Sequence, residues 1–363
     1  MKNWHSKNSV GGIHNLFDRI ISLENLFAAW KEFRKGKGGK PDVQAFEWRL
    51  EDEIFRLHED LRDGTYEHGP YESFFVCDPK RRHIHKPSVR DRLVHHAVVR
   101  VVEPLFDRRF IFDAWSCRKS KGTHAAVNRL QSFCWRLSRN NTRTVWVLKL
   151  DIRKFFENVD QDVLLRVLSK TIGDPRVNDL FTRIIRSFSN GIPLGNLTSQ
   201  LFANVYLNEL DQLMKHEIRM RSYIRYCDDF VLTHQDREIL ESALLRIRLF
   251  LLAQLRLTLH PKKIILVPYH RGVDFLGFIC FPHYRVLRAK TKRRMLRRVN
   301  EKNLASYNGI LQHCRSHKLG IELLRIVSTK DQKLILTSSK PDSLHYELHF
   351  LSSKFRCCIS SCV

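Results

Sequence analysis

No apolar run in this sequence can span a bilayer. The best of them, LFLLAQL at 249–255, is far too short. The opening residues, MKNWHSKNSVGG, hold no apolar stretch of the signal-peptide type. Paired CxxC motifs are absent, and the 9 cysteines are an odd number, most of them scattered singly through apolar segments. That usage argues against a disulfide framework and suits reduced thiols. The one cluster, Cys357, Cys358 and Cys362, lacks further ligands at zinc spacing and reads as tail composition. These absences predict a cytoplasmic chain with no membrane partner. Acidic residues are also scarce, with 38 Asp and Glu against 63 Lys and Arg and a net charge of +25. Such an excess predicts a polyanion partner, with nucleic acid the first candidate and an anionic membrane the second.

What is present suits a folded chain of two or three subdomains. The 363 residues are 43% hydrophobic and 28% charged, an ordinary globular balance. No internal repeat occurs. Residues 15–63 read as helix, with Leu16, Ile20, Leu23, Phe27, Trp30 and Phe33 at helical spacing. GKGGKPD at 36–42 breaks that pattern, and a second stripe follows through Phe46, Leu50, Ile54, Leu57 and Leu61. Residues 71–87 read as an extended ribbon rich in Lys, Arg and His, and 91–106 return to helix. His83 and His85 form an HxH and His95 and His96 are adjacent, but no partner ligand set accompanies them. A structural or RNA-facing role is expected instead.

TVWVLKLDI at 144–152 fits a buried strand. Helical patterns follow at 161–187 and 199–219. SYIRYCDDFVLTH at 222–234 reads as two short strands around an acidic turn. A helix over 237–255 precedes LRLTLHPKK, and VDFLGFIC at 273–280 reads as another strand. RAKTKRRMLRR at 288–298 carries seven basic residues and no acid, and should be a helix with a basic face, followed by helix to about 327. Strands do not alternate regularly with helices, so the order predicts an α+β fold.

Two acidic sites stand out. Asp151 ends an apolar strand, and Asp228-Asp229 sit at a tight turn. A carboxylate at an apolar strand end is costly to desolvate unless it pairs or binds a cation. Nucleotidyl transfer offers a reason for such groups, because two Mg²⁺ ions, roughly 4 Å apart, activate a hydroxyl and stabilise pyrophosphate. Magnesium takes hard oxygen ligands and few protein carboxylates. Side chains alternate along a strand, so one aspartate of the pair would lead and the other support. A lone Asp-Asp is commonly just a solvated turn, and its weight here comes from its neighbours.

Taken together, these segments resemble the reverse transcriptase family over about residues 70–300. LKLDIRKFF (148–156) looks like the motif that supplies the first metal aspartate, and YCDD (226–229) looks like the YxDD turn. GIPLGNLTSQLFANVYLNELD (191–211) looks like the motif between them. HPKK (260–263) and VDFLGF (273–278) are similar to the last palm motifs and the primer grip. RDRLVHHAVVRVVEPLFDRRFI (90–111), WSCRKSKGTHAAVNRLQ (115–131) and LGNLTSQ (194–200) are closest to the branch found in diversity-generating retroelements. Leu194 and Gln200 stand where group II intron and retroviral-type enzymes usually carry Gln and Pro, an exchange that accompanies error-prone copying of template adenines in that branch.

The resemblance implies a right-hand polymerase: N-terminal helices and fingers over 1–143, a palm over 144–285, and a basic helical thumb and tail over 286–363. It implies two Mg²⁺ held by Asp151, Asp228, Asp229 and the main-chain carbonyl of Ile152. Lys263 could protonate pyrophosphate, a solvated lysine being the competing reading. Lys80 and Arg82 match residues that hold the incoming triphosphate, although PKRRHIHKP offers several basic choices of register. Phe156 lies where an aromatic ring blocks a ribose 2′-OH, and one of Phe155 and Phe156 should be core. Leu194, Gly195 and Gln200 would flank the nascent pair, with Gly195 allowing close approach of the backbone. Arg118 and Lys119 are expected on RNA backbone, and Lys290, Arg293, Arg294 and Arg297 on the primer–template duplex. The implied partners are an RNA template, a DNA or RNA primer and dNTPs. A template-repeat RNA and a small basic accessory protein would join them in the retroelement branch. The runner-up is a group II intron or retron-type enzyme, for which the short region after the thumb leaves little room. An inactive RNA-binding scaffold is the reading without catalysis.

Overall fold

A computed structural model of the chain describes residues 15–77 and 80–338, with side chains to residue 329. The cysteine cluster at 357–362 lies outside the described residues. Two compact units divide at residue 271, Met1–Arg271 and Gly272–Val363.

The helical stripes of the first unit bury as their spacing predicts, but in more pieces. Ser22 turns out of helical geometry and its side chain accepts from the Asn25 N–H, so helix Leu16–Ile21 ends and helix Leu23–Arg34 begins. Leu16, Ile20, Trp30 and Phe33 are buried, as are Ile54, Leu57 and Leu61 on helix Leu50–Arg62. Strands β1 (Glu72–Cys77) and β2 (Arg81–Lys86) form the expected ribbon, antiparallel, with Phe75 opposite His83. Ser88 then caps helix Val89–Asp107.

Strands β3 (Trp146–Asp151), β4 (Tyr223–Tyr226), β5 (Asp229–His234) and β6 (Ile265–Pro268) build a four-stranded antiparallel sheet ordered β4-β5-β3-β6. Alternation sorts its two faces. Leu148, Leu150, Phe230 and Leu232 join the main core, together with residues of helices Leu197–Gln212 and Arg237–Leu255. Lys149, Asp151, Asp229 and Val231 fall on the opposite face. Helix Thr123–Leu137 also packs against β4 and β5. That helix and β6 escape notice in the sequence.

In the second unit, the strand expected over 273–280 is instead a hairpin. β7 (Val273–Phe275) and β8 (Phe278–Cys280) pair around Leu276 and Gly277, and β9 (Arg285–Leu287) follows. Both turn residues have positive φ, the two-residue geometry that matches strand twist. The basic helix forms as Ala289–Arg298, and its Met295 and the following Val299 are buried with Leu319, Leu323 and Val327. The helix expected over 300–327 is two helices, Glu301–Leu311 and His317–Ser338, the first opened by an Asn300–Asn303 capping box. Among the described residues no helix is long and apolar enough to cross a membrane.

Candidate active site

The acidic residues separated by 77 positions meet. Asp151 and Asp229 are direct cross-strand partners at the ends of β3 and β5. The Ile152 N–H donates to the Asp228 carbonyl at 3.3 Å. Like charges placed opposite one another on a sheet repel, so the arrangement is unfavourable unless cations intervene. Two lysines do. Lys263 Nζ lies 2.6 Å from Asp151 Oδ2, and Lys149 Nζ lies 3.7 Å from Asp229 Oδ1. Lys149 follows from strand alternation, sitting two residues before Asp151 on its face. No ion pair among the described residues reaches Asp228. Burial, then the charge of Asp151, pushes its carboxyl up to about 6.

As the side chains stand, no three His, Cys, Asp or Glu among the described residues form a ready-made metal-binding group. The donor chemistry nevertheless fits a divalent cation. The donors are hard oxygens, Asp151 is only 7% exposed, and Asp228 is an anion that burial disfavours. The Ile152 carbonyl is also spare in its local pairing. Bonds from Arg153 N–H to the Thr258 carbonyl and from His260 N–H to the Asp151 carbonyl flank it without using it.

Phe155 is core and Phe156 is half-buried, the rings 5.3 Å apart edge to face. The turn beneath them is held by the loop before Leu194: the Ile192 N–H donates to the Phe156 carbonyl at 2.8 Å. Gly191 has φ +66°, and a Cβ there would stand 2.2 Å from the Phe156 carbonyl oxygen. Gly191→Ala should therefore lower stability by about 2–4 kcal/mol through overlap plus a left-handed backbone, read as a lower urea midpoint. An unchanged midpoint would show that the loop does not rest on Phe156.

Gly195 has φ +109°, and a Cβ there would stand 3.0 Å from the Ile84 side chain of β2. The His85 N–H also donates to the Leu194 carbonyl at 3.2 Å, so ribbon and loop touch. Alternation puts Arg82 on the Ile84 face of β2, with His83 and His85 on the other. Arg82, Lys80 and Gln200 are exposed and Leu194 half-buried. His83 stacks on Phe75 at 4.5 Å and His85 packs against Phe188 at 4.7 Å. His95 is buried with neither ring nitrogen hydrogen-bonded, and burial lowers its pKa to about 3.

One expectation is overturned. Arg118 does not present its guanidinium to a phosphate. It donates to Asp107 Oδ1 at 2.6 Å and to the carbonyls of Ile111 and Ala114 at 2.8 and 3.0 Å, pinning the loop around 107–118. A guanidinium so committed has little left to offer RNA. Lys119 beside it is exposed, as are Lys290, Arg293 and Arg297, whereas Arg294 is half-buried. Sequence reasoning missed a buried network of Asn204, Asp211, Tyr223 and Arg225 behind the YCDD turn. Its signal was a charged residue inside the apolar strand YIRY.

Residues 77–280 match the sequence profile of reverse transcriptase (RNA-dependent DNA polymerase). The chain belongs to the reverse transcriptase family. This reverse transcriptase is 26% identical to Protein YkfC of Escherichia coli (strain K12) over 276 residues, 63% of this chain and 71% of that protein. It is 24% identical to the group II intron-encoded protein LtrA of Lactococcus lactis subsp. cremoris over 230 residues, 58% of this chain and 37% of LtrA. Among solved structures, telomerase from Candida albicans in complex with a telomeric RNA fragment aligns at TM-score 0.51 and 12% identity. The alignment covers 81% of this chain and 60% of that one. That likeness concerns the fold, which agrees with the mixed helix-and-sheet, right-hand polymerase class expected from the sequence.

Proposed function

We propose that the protein copies an RNA template into cDNA by two-metal nucleotidyl transfer in the cytoplasm, with residues 1–143 as fingers, 144–285 as palm and 286–363 as thumb and tail. The observation that carries this reading is the meeting of Asp151 with the Asp228-Asp229 turn across adjacent strands. Asp151, Asp228, Asp229 and the Ile152 carbonyl would hold Mg²⁺. When bound, the pair of ions would supply a nucleophilic primer hydroxyl and charge stabilisation for the leaving pyrophosphate. The chain's own groups do the rest. Lys263 stands at Asp151 with a proton to give to pyrophosphate. Arg82 and Lys80 hold the triphosphate, while Leu194, Gly195 and Gln200 border the nascent pair. Lys119 and the basic helix at 289–298, with Lys290, Arg293, Arg294 and Arg297, contact nucleic-acid phosphates.

Phe156 keeps enough exposure to meet a sugar, whereas Phe155 does not. Phe156→Ala should cut the preference for dNTPs over NTPs about 10–100-fold, the worth of relieving an overlap of 1–3 kcal/mol. Single-nucleotide incorporation with each substrate measures it, and an unchanged ratio would remove Phe156 from this role.

The finer reading is a polymerase of a diversity-generating retroelement, acting on a template-repeat RNA with a small basic accessory protein and misreading template adenines. Leu194 and Gln200 support it. The likeness to LtrA favours the alternative, a group II intron-type enzyme. Primer extension on an adenine-containing RNA with dNTPs and Mg²⁺, followed by cDNA sequencing, separates them. Errors concentrated opposite adenine support the retroelement branch, and faithful copying supports the intron type. Salt-sensitive RNA binding without any product would leave only a scaffold.

A further inference from the structure

We infer that Arg225 and Asp211 are positioning residues that set the direction of Asp228 by holding the carbonyl of Cys227. The inference rests on the polymerase reading above and assigns the work to residues buried behind the aspartates.

Arg225 lies in the middle of β4 and is 0% exposed, as is Asp211 on helix Leu197–Gln212. An ion at such a place is retained only with full pairing. Nε donates to Asp211 Oδ1 at 2.8 Å and Nη2 to Oδ2 at 2.7 Å, a fork-on-fork contact. The Tyr223 hydroxyl donates to the same carboxylate at 2.8 Å. These bonds orient the guanidinium and leave Nη1 aimed elsewhere. Nη1 donates to Asn204 Oδ1 at 3.0 Å and, at 3.4 Å, to the carbonyl of Cys227. Asn204 is fixed in turn, its Nδ2 donating to the Ser116 carbonyl at 2.9 Å. Asn204 and Asp211 are seven residues apart and so share one helix face.

The held carbonyl belongs to a strained residue. Cys227 has φ +54°, the left-handed region that a side chain disfavours, and it directly precedes Asp228. A residue in that region persists only where its surroundings over-determine it. The strand below is pinned as well: the Arg225 N–H donates to the Asp113 carbonyl at 3.0 Å, and the Trp115 N–H donates to the Arg225 carbonyl at 2.9 Å. A buried ion pair by itself adds little net stability. What this one adds is a fixed point two residues from the turn, with one arm on the turn itself.

Arg225→Lys tests the assignment, since lysine keeps the charge opposite Asp211 but has no second arm for Cys227. Mn²⁺ is the probe, with binding followed by electron paramagnetic resonance on the whole chain. The expected result is a variant that melts within a few degrees of wild type without metal and binds Mn²⁺ about 10–100-fold more weakly. Its primer extension should show a lower kcat at an unchanged KM for dNTP, partly restored by higher Mn²⁺. A folded Arg225→Lys with wild-type Mn²⁺ affinity overturns the inference. If lysine does not fold, the double exchange Arg225→Met with Asp211→Leu, which leaves neither charge stranded, is read the same way. Failure of both to fold makes the pair a requirement of the fold alone and also overturns it. Wild type that neither binds Mn²⁺ nor extends a primer would instead sink the polymerase reading.

Discussion

Asp228→Asn will make no detectable cDNA, yet its metal-free form will melt higher than wild type at pH 8. The first effect follows from removing a proposed metal ligand. A metal's charge stabilisation is worth several kcal/mol in the transition state, on the order of 10³-fold in rate. The second follows from the environment of the carboxyl, which burial and Asp151 raise to about 6 from an ordinary 3.8. A folded-state pKa above the unfolded value means that the folded protein holds the proton more tightly. The stability contributed is complete below about pH 3.8 and is lost as pH rises through about 6. At pH 8 the ionised group therefore opposes folding, by at most about 3 kcal/mol. Asparagine cannot ionise, so the gain should appear at pH 8 and vanish near pH 4. Divalent cations should raise the wild-type melting temperature and leave the variant's nearly unmoved. Thermal melts at both pH values, with and without Mg²⁺, check the set. Normal extension by Asp228→Asn would refute the site, and equal melting at pH 8 would refute its electrostatics.

The meeting of Asp151 with the Asp228-Asp229 turn could be read from sequence because each sits in a short, strongly patterned segment. Apolar runs on both sides of YCDD announce strands, and a strand end needs few tertiary facts to place. The helices at 50–62, 89–107 and 237–255 were legible for the same reason, their stripes repeating over three or more turns. Shorter features were not. One serine at 22 divides a stripe without disturbing its spacing, because the cap acts through a single bond. A leucine occupies the left-handed turn position at 276, where glycine or asparagine would have advertised a hairpin. Arg118 misled for a deeper reason. Charge counting finds cations but not their direction, and a guanidinium with four internal acceptors looks, in sequence, like its exposed neighbour Lys119. Asp211 and Arg225 were hidden in the same way, as a charge is assigned to the surface by default.

Asp211→Ala should lower stability by about 3–5 kcal/mol. The loss is not the worth of the ion pair. It is the cost of leaving the Arg225 guanidinium buried with only Asn204 Oδ1 and the Cys227 carbonyl as its remaining acceptors. The Tyr223 hydroxyl loses its acceptor in the same step, adding an unsatisfied polar group. Surface pairs provide the contrast. Lys170 bonds Glu209 at 2.8 Å, no longer than several bonds in the network, but Lys170 is more than half exposed, and Lys170→Ala should cost under about 1 kcal/mol. Urea unfolding of both variants measures the difference. The logic predicts a third value. Adding Arg225→Met and Asp211→Leu together should recover most of what Asp211→Ala loses, because no charge is then stranded, whereas Arg225→Met alone should not. A small loss in Asp211→Ala would mean that water reaches the guanidinium. The fixed point behind the YCDD turn would then disappear with it, because a solvated arginine has no reason to hold one direction.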